Sequence, residues 1–188
     1  IEAWVKRPVS ASSDGSIFAD GSYVAHVRGG DRIYASGEIG LDNHSYQVYY
    51  TANINDDQGH HVAISYESGQ PISAAELYVD GVEQTTLGVN SSTGIIPNTI
   101  LNDAAIGSRL EGTSLYLEGS IDELRVWRRA LCQEEIVAHM GCEALSNQTD
   151  LLAYYDFNQG AAAVSNSGET ALTDRTVNGN NGTLTNFT

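Results

Sequence analysis

Basic residues are scarce in this chain. Its 188 residues carry nine Lys and Arg against 24 Asp and Glu, for a net charge of −15 at pH 7. Duplex nucleic acid is gripped by neutralising its phosphates with Lys and Arg, so this field repels it and no nucleic-acid partner is expected. An anionic membrane surface is a poor partner for the same reason. Long apolar runs are also missing. No stretch approaches the roughly 20 apolar residues that cross a bilayer, so no membrane insertion is expected. The chain opens directly on the strand-like Ile1-Glu2-Ala3-Trp4-Val5, without a signal-peptide pattern, and a leader cleaved or lying outside this sequence remains compatible with that. Cysteine is limited to Cys132 and Cys142, too few for a thiolate zinc site. In an oxidising compartment the two would pair as a disulfide; the alternative is two free thiols. A straight helix between them would hold them too far apart, so the bond requires a short helix that folds back.

Proline and Phe occur three times each, whereas Gly occurs 19 times and Tyr 10 times. Many short strands joined by Gly, Asn and Asp turns give that profile. Strand patterns are dense along the chain. Ile1–Lys6 alternates apolar and polar residues, and Tyr23–Val27 and Arg32–Ala35 flank the hairpin signal Gly29-Gly30-Asp31. Gln47–Asn53 follows. His60–Tyr66 is richer in apolar residues and is expected to be central. Ala75–Val79 runs into Asp80-Gly81, the strongest hairpin dipeptide in the chain, with Val82–Thr86 as the return strand. Ala104–Gly107, Leu115–Leu117 and Ile121–Trp127 complete the main series.

A single segment has helical spacing: Cys132–Met140 places Ile136, Val137 and Met140 on one face, with Gly141 as a stop. Leu151–Asn158 returns as a strand. The cluster Asn178-Gly179-Asn180-Asn181-Gly182 then turns into a last strand over Thr183–Phe187. The expected fold is therefore all-β: a two-sheet antiparallel sandwich, a jelly roll with one short helix.

Three segments carry a resemblance. Gly59-His60-His61-Val62-Ala63-Ile64-Ser65-Tyr66 is close to a "W-H-H-V-A" strand, with Gly59 where a Trp is expected. Ala75-Glu76-Leu77-Tyr78-Val79-Asp80-Gly81 looks like an "L-Y-V-D-G" hairpin. Gly119–Leu131 is similar to a late "G-x-I-D-E-V-R-I-W-x-R-A-L" strand. In this order and spacing they resemble the laminin-G-like jelly rolls of the concanavalin A-like lectin and glucanase superfamily. One departure concerns order. A segment like Leu152–Phe187 usually opens such a domain, and here it closes the chain. Either it begins a following module, or it completes one domain over residues 1–188 as a circular permutation, with 151–188 finishing the sandwich. The second is favoured, since termini often lie close together.

The resemblance also frames the chemistry. Glucanase relatives need two carboxylates on one strand face, roughly 5 Å apart. No E-x-D-x-E or E-x-D-x-x-E occurs. Glu134-Glu135 are adjacent and helical, Asp56-Asp57 sit in a loop, and Asp122-Glu123 point to opposite faces of a strand. No G-x-S-x-G elbow is present. No enzyme activity is expected. His60 and His61 diverge as strand neighbours, one packing inside and the other facing solvent.

The relatives' structural calcium implies a Ca2+ site at Asp122 in the late strand, with the backbone of Asp156 as a further ligand. Calcium takes six to eight oxygens, many of them neutral carbonyls. Asp174 and Asn178–Asn181 are weaker candidates, because Asn-rich turns are more often simply turns.

Tyr46, Tyr49 and Tyr50 are the candidate sugar platform, with Tyr34 and Asn43 beside them; the plainer reading puts Tyr49 or Tyr50 in the core. Trp4 and Trp127 read as core anchors. The resemblance implies a non-catalytic binding or adhesion module, secreted or at the cell surface, in a larger multidomain chain, with a glycan or extracellular protein as partner. The alternatives are a structural spacer, or an accessory domain that targets a polysaccharide hydrolase.

Overall fold

The computed structural model describes residues 1–20, 23–27, 39–42, 47–50, 54–84, 86–89, 94–95, 104–109, 114–141, 148–160, 166 and 168–185. Two antiparallel six-stranded sheets face each other, so the expected sandwich is what the chain forms. The first sheet has the order β12 (Leu151–Tyr155), β11 (Ser120–Trp127), β1 (Glu2–Lys6), β6 (Gly59–Ser65), β7 (Glu76–Val79) and β8 (Val82–Glu83). The second runs β10 (Ala105–Ile106), β2 (Gly15–Asp20), β3 (Tyr23–Val27), β4 (Ile39–Asp42), β5 (Gln47–Tyr50) and β9 (Thr86–Val89). A two-stranded ribbon, β13 (Ala171–Leu172) with β14 (Gly182–Thr183), stands apart.

Alternation decides which side chains meet between the sheets. Ala3 and Val5 of β1, Val62 and Ile64 of β6, Leu77 of β7 and Leu124 and Val126 of β11 point inward. They pack on Ile17 and Phe18 of β2 and Val48 of β5. The expected central position of the His60–Tyr66 strand holds, since β6 lies between β1 and β7. The Asp80-Gly81 turn also forms as expected. Val79 pairs with Val82, and φ is 50° at Asp80 and 76° at Gly81, the double positive φ of a type I′ hairpin.

The return strand is much shorter than Val82–Thr86. Val82 and Glu83 alone pair with β7, and Thr86–Val89 instead joins β5 in the other sheet. Leu115–Leu117 is not a strand. It is an extended connection whose Leu115 C=O accepts the Ser16 N–H and whose Leu117 N–H bonds the Gly107 C=O, with Leu115 held at φ 51°. The expected Arg32–Ala35 strand and Gly29-Gly30-Asp31 hairpin lie outside the described residues; of the expected Thr183–Phe187 strand, Thr183 alone is paired, in β14, Leu184 and Thr185 are not strand, and Asn186 and Phe187 lie outside the described residues.

The outer face of the first sheet carries a second apolar cluster. Helix α1 (Gln133–Met140) lies over it and seats Ile136 on Ala63, Tyr78, Trp127, Leu131, Leu151 and Tyr154. Trp127 is thus a core anchor of this outer cluster, whereas Trp4 is only half-buried and its indole N–H bonds the Met140 carbonyl. Glu135 caps the helix by accepting the Cys132 N–H at 3.1 Å. The expected Cys132–Cys142 disulfide is not seen. Cys132 is an exposed free thiol at the head of α1, and Cys142 lies outside the described residues. The eight-residue helix supplies the reason, since its run of about 12 Å carries the chain away from Cys132 rather than folding it back.

Strand β12 adds to β11 with Leu124 opposite Tyr155 and Val126 opposite Ala153, and it sends Ala153 and Tyr155 into the inter-sheet core. Its other edge is covered by the turn after β13. The Tyr154 N–H bonds Asp174 Oδ1 and the Tyr154 C=O accepts the Arg175 N–H. The Leu152 carbonyl accepts the side-chain amides of Asn178 and Asn180. Side chains and turn amides here do what another strand would do, which leaves no open ladder on that side.

Candidate functional site

Asp122 and Asp156 lie at the same end of the β11–β12 ladder, two residues before Leu124 and one after its partner Tyr155. The Asp122 carboxylate is exposed, and its Oδ1 accepts the N–H of Glu123 at 2.9 Å. Both oxygens of Asp156 are engaged, Oδ2 by Arg175 Nε at 2.8 Å and Oδ1 by the Asn158 N–H at 3.3 Å. Among the described residues no three His, Cys, Asp or Glu side chains are grouped to hold a metal ion. Asp174 is a structural residue. Its carboxylate accepts the N–H groups of Tyr154, Thr176 and Asn180 and the Thr176 hydroxyl, which accounts for both oxygens.

Tyr46, Tyr34 and Asn43 lie outside the described residues. Tyr49 and Tyr50 are placed by their backbone on β5, Tyr49 opposite Gly40 and Gly88, and Tyr50 opposite Ile39 and Thr86. Their side chains lie outside the described residues.

The adjacent acidic pairs are tied into local structure. Glu135 forms a two-pronged ion pair with Arg129, at 2.7 and 2.8 Å, and with the Cys132 amide this holds its carboxyl down at about 2. Glu123 accepts from Arg125 and from the Tyr154 hydroxyl, both at 2.7 Å. Asp56 receives the Gln58 N–H at 2.9 Å and faces His60 Nε2 at 3.2 Å.

His60 and His61 diverge as alternation requires. His60 sits near the surface between two carboxylates, with Nδ1 2.8 Å from Asp80 and Nε2 3.2 Å from Asp56. Partial burial opposes its charge, but the bonds to Asp80 and then Asp56 raise its pKa above the ordinary value. His61 is fully buried on the outer face of the sheet. Burial, opposed by Glu2 and reinforced by Arg125, pushes its pKa down to about 4.

Around His61 lies a polar cluster that the sequence pattern does not reveal. Glu2 is fully buried, and its Oε1 accepts the Trp127 indole N–H and faces His139 Nδ1, each at 3.0 Å. Arg125 approaches the same oxygen at 3.8 Å and donates to the His139 carbonyl at 3.2 Å. The His139 ring stacks on Trp127 with centroids 5.0 Å apart and 6° between planes. Despite the upward pull of burial, the bond and charge of His139, with His61 and Arg125, lower the Glu2 pKa. In an alternating strand Glu2 takes a solvent position; it is buried because α1 and β11 cover that face. The signal available in the sequence was Arg125, a cation between Leu124 and Val126 in the apolar half of β11, which requires a buried anion nearby.

A second buried cation, Arg7, ties the loops at one end of the sandwich. It donates to the Glu118 and Ser13 carbonyls and to Asn55 Oδ1, at 3.3, 2.7 and 3.3 Å.

Among the described residues no helix is long and apolar enough to cross a membrane. No curated protein matches the chain. A crystal structure of a candidate carbohydrate-binding protein from Bacteroides ovatus superposes with a TM-score of 0.70 at 19% identity, over 92% of this chain and 48% of that one. The chain thus spans about half the length of that protein. The CBM40 of Ruminococcus gnavus IT-sialidase, bound to α2,3-sialyllactose, aligns with a TM-score of 0.49 at 14% identity, over 74% of this chain and 80% of its own. Every strand of the two facing sheets except β12, with the Asp80-Gly81 hairpin between β7 and β8, falls within residues 1–137, which match a laminin-G family model described as the concanavalin A-like lectin/glucanases superfamily, and the chain belongs to that family.

Proposed function

We propose that the chain is a non-catalytic, extracellular binding module that recognises a glycan and serves as one domain of a larger secreted or surface protein. The observation that carries this reading is the concanavalin A-like sandwich, which aligns along 92% of its length with a candidate carbohydrate-binding protein. Fold alone does not fix function, so the acidic side chains supply the second support. Glu123, Glu135 and Asp56 are each committed to arginine, histidine or main-chain partners, which leaves them unsuited to share a proton with a leaving group. The second sheet, with Tyr49 and Tyr50 on β5, is the proposed sugar-facing layer. A glycan array, read with and without calcium, tests the reading. Binding to a defined class of glycan supports it, and binding to none overturns it in favour of a structural spacer.

The family's structural calcium fits Asp122 in part: an exposed carboxylate whose described hydrogen bond is to the next residue's amide. Asp122 and the Asp156 carbonyl would hold the ion, and calcium would stiffen the β11–β12 end. A melting temperature that rises with calcium, and does so less in Asp122→Ala, is the expected result. The same reading takes residues 1–188 as one permuted domain, supported by the pairing of β12 with β11 and by the place of Tyr155 in the core.

A further inference from the structure

The buried ionisable cluster beneath α1 lies on the first sheet, away from the proposed sugar-facing layer, and it is built unlike an ordinary core. Both ring nitrogens of His61 and Oε2 of Glu2 are buried without a hydrogen bond among the described residues, and His61 Nε2 stands 3.5 Å from Glu2 Oε2. Leaving such groups unsatisfied costs free energy, and a well-packed apolar pair would avoid that cost. These groups lie where the C-terminal end of α1 is fastened: His139 Nδ1 on Glu2, the His139 carbonyl on Arg125, and the Met140 carbonyl on the Trp4 indole.

We propose that Glu2 and His61, buried beneath the point where His139 fastens α1, form an acid-sensitive latch that clamps α1 to the first sheet at neutral pH and releases it in mild acid. The groups facing His61 come from every element packed around it: Glu2 from β1, Arg125 from β11, His139 from α1 and Asp80 from the turn after β7. Glu123 and the Tyr154 hydroxyl stand behind Arg125. Burial outweighs the two carboxylates, so His61 stays neutral while α1 is in place, and it titrates near its ordinary value once α1 lifts and water enters.

The sign follows from linkage. A histidine whose folded pKa is depressed to about 4 lends its full stability above its unfolded value of 6.5 and loses it as pH falls between those values. Glu2, also lowered, adds a loss in the same direction below its ordinary value of 4.5. The inter-sheet core contains none of these groups, so the smallest unit that relieves the buried charge is α1 itself. Its release uncovers Trp127, Leu131 and Tyr154, an apolar face hidden at neutral pH.

Hydrogen exchange on the intact chain, corrected for intrinsic rates, tests the latch between about pH 7 and about pH 4.5. The expected result is that amides of α1 lose about tenfold or more protection while those of β1, β6 and β11 keep theirs. In His61→Leu the response of α1 between about pH 6.5 and about pH 5 should flatten. Protection of α1 that does not change with pH, loss of helix and strands together, or an unaltered response in His61→Leu would each overturn the proposal. Should the variant fail to fold, the helix-against-strand comparison in the native chain decides alone. Glycan binding is not a readout here, so failure of one reading does not touch the other.

Discussion

The carboxylate of Asp174 reaches across the chain to accept the main-chain N–H of Tyr154 at 3.0 Å. The same carboxylate organises its own turn through Thr176 and Asn180, so one buried side chain both shapes the loop and presses it against β12. Replacing Asp174 with Ala leaves several buried donors unpaired and should cost about 2–3 kcal/mol in urea-induced unfolding. It should also bare the outer side of β12, so association that grows with protein concentration is expected by light scattering.

Among the described glycines, Gly119 is the least tolerant of a side chain. It adopts φ 155°, and an added Cβ would fall 2.2 Å from the Lys6 carbonyl oxygen. Relief would require moving β1, the central strand beside β11. Gly119→Ala is expected to destabilise by more than about 2 kcal/mol, whereas Gly141→Ala, which meets nothing within 4 Å, should stay within about 0.5 kcal/mol. Thermal unfolding of the two variants checks the contrast.

His60 makes the opposite pH prediction from His61. Its folded pKa is raised, so the stability it lends is fully present below the unfolded value of 6.5 and fades as pH rises through the folded one. His60→Gln should therefore lower the melting temperature in mild acid more than at pH above about 8. The NMR titration of its ring should report a midpoint above 6.5, returning toward 6.5 in Asp80→Asn. A midpoint below 6.5 would show that burial outweighs the two aspartates.

A chain cut after Gly141 tests whether the last quarter belongs to the same domain. The cut removes Leu151, Ala153, Tyr154, Tyr155 and Leu172, all buried, and opens the Leu124–Trp127 edge of β11. Loss of the cooperative unfolding transition, or aggregation on expression, is expected. A truncated chain that melts cooperatively near the temperature of the full one would show that residues 151–188 are an appendage.

Much of this fold was legible because strand periodicity and turn chemistry agreed. Asp80-Gly81 named its hairpin, since few dipeptides accept positive φ twice. Strand β2 escaped notice for a physical reason: Ser16, Ile17, Phe18 and Ala19 are all buried, so its two faces show no polar alternation. Glu2 and Lys6 looked alike in the pattern of β1, yet Glu2 is buried and Lys6 exposed, because α1 covers only one end of that strand's outer face. Such covering is a tertiary event that no local window contains. The parting of His60 from His61 was readable, because alternation alone requires it. Their different partners were not, since Asp56, Asp80 and Glu2 are brought there by three separate elements. The arginines that hold Glu123 and Glu135 became visible only with the chain folded.

The first sheet ends in two very different ways: β12 is sealed by asparagine amides, and β8 is only two residues long. A second copy of the chain thus meets, among the described residues, no long bare strand at either edge of this sheet to zip onto.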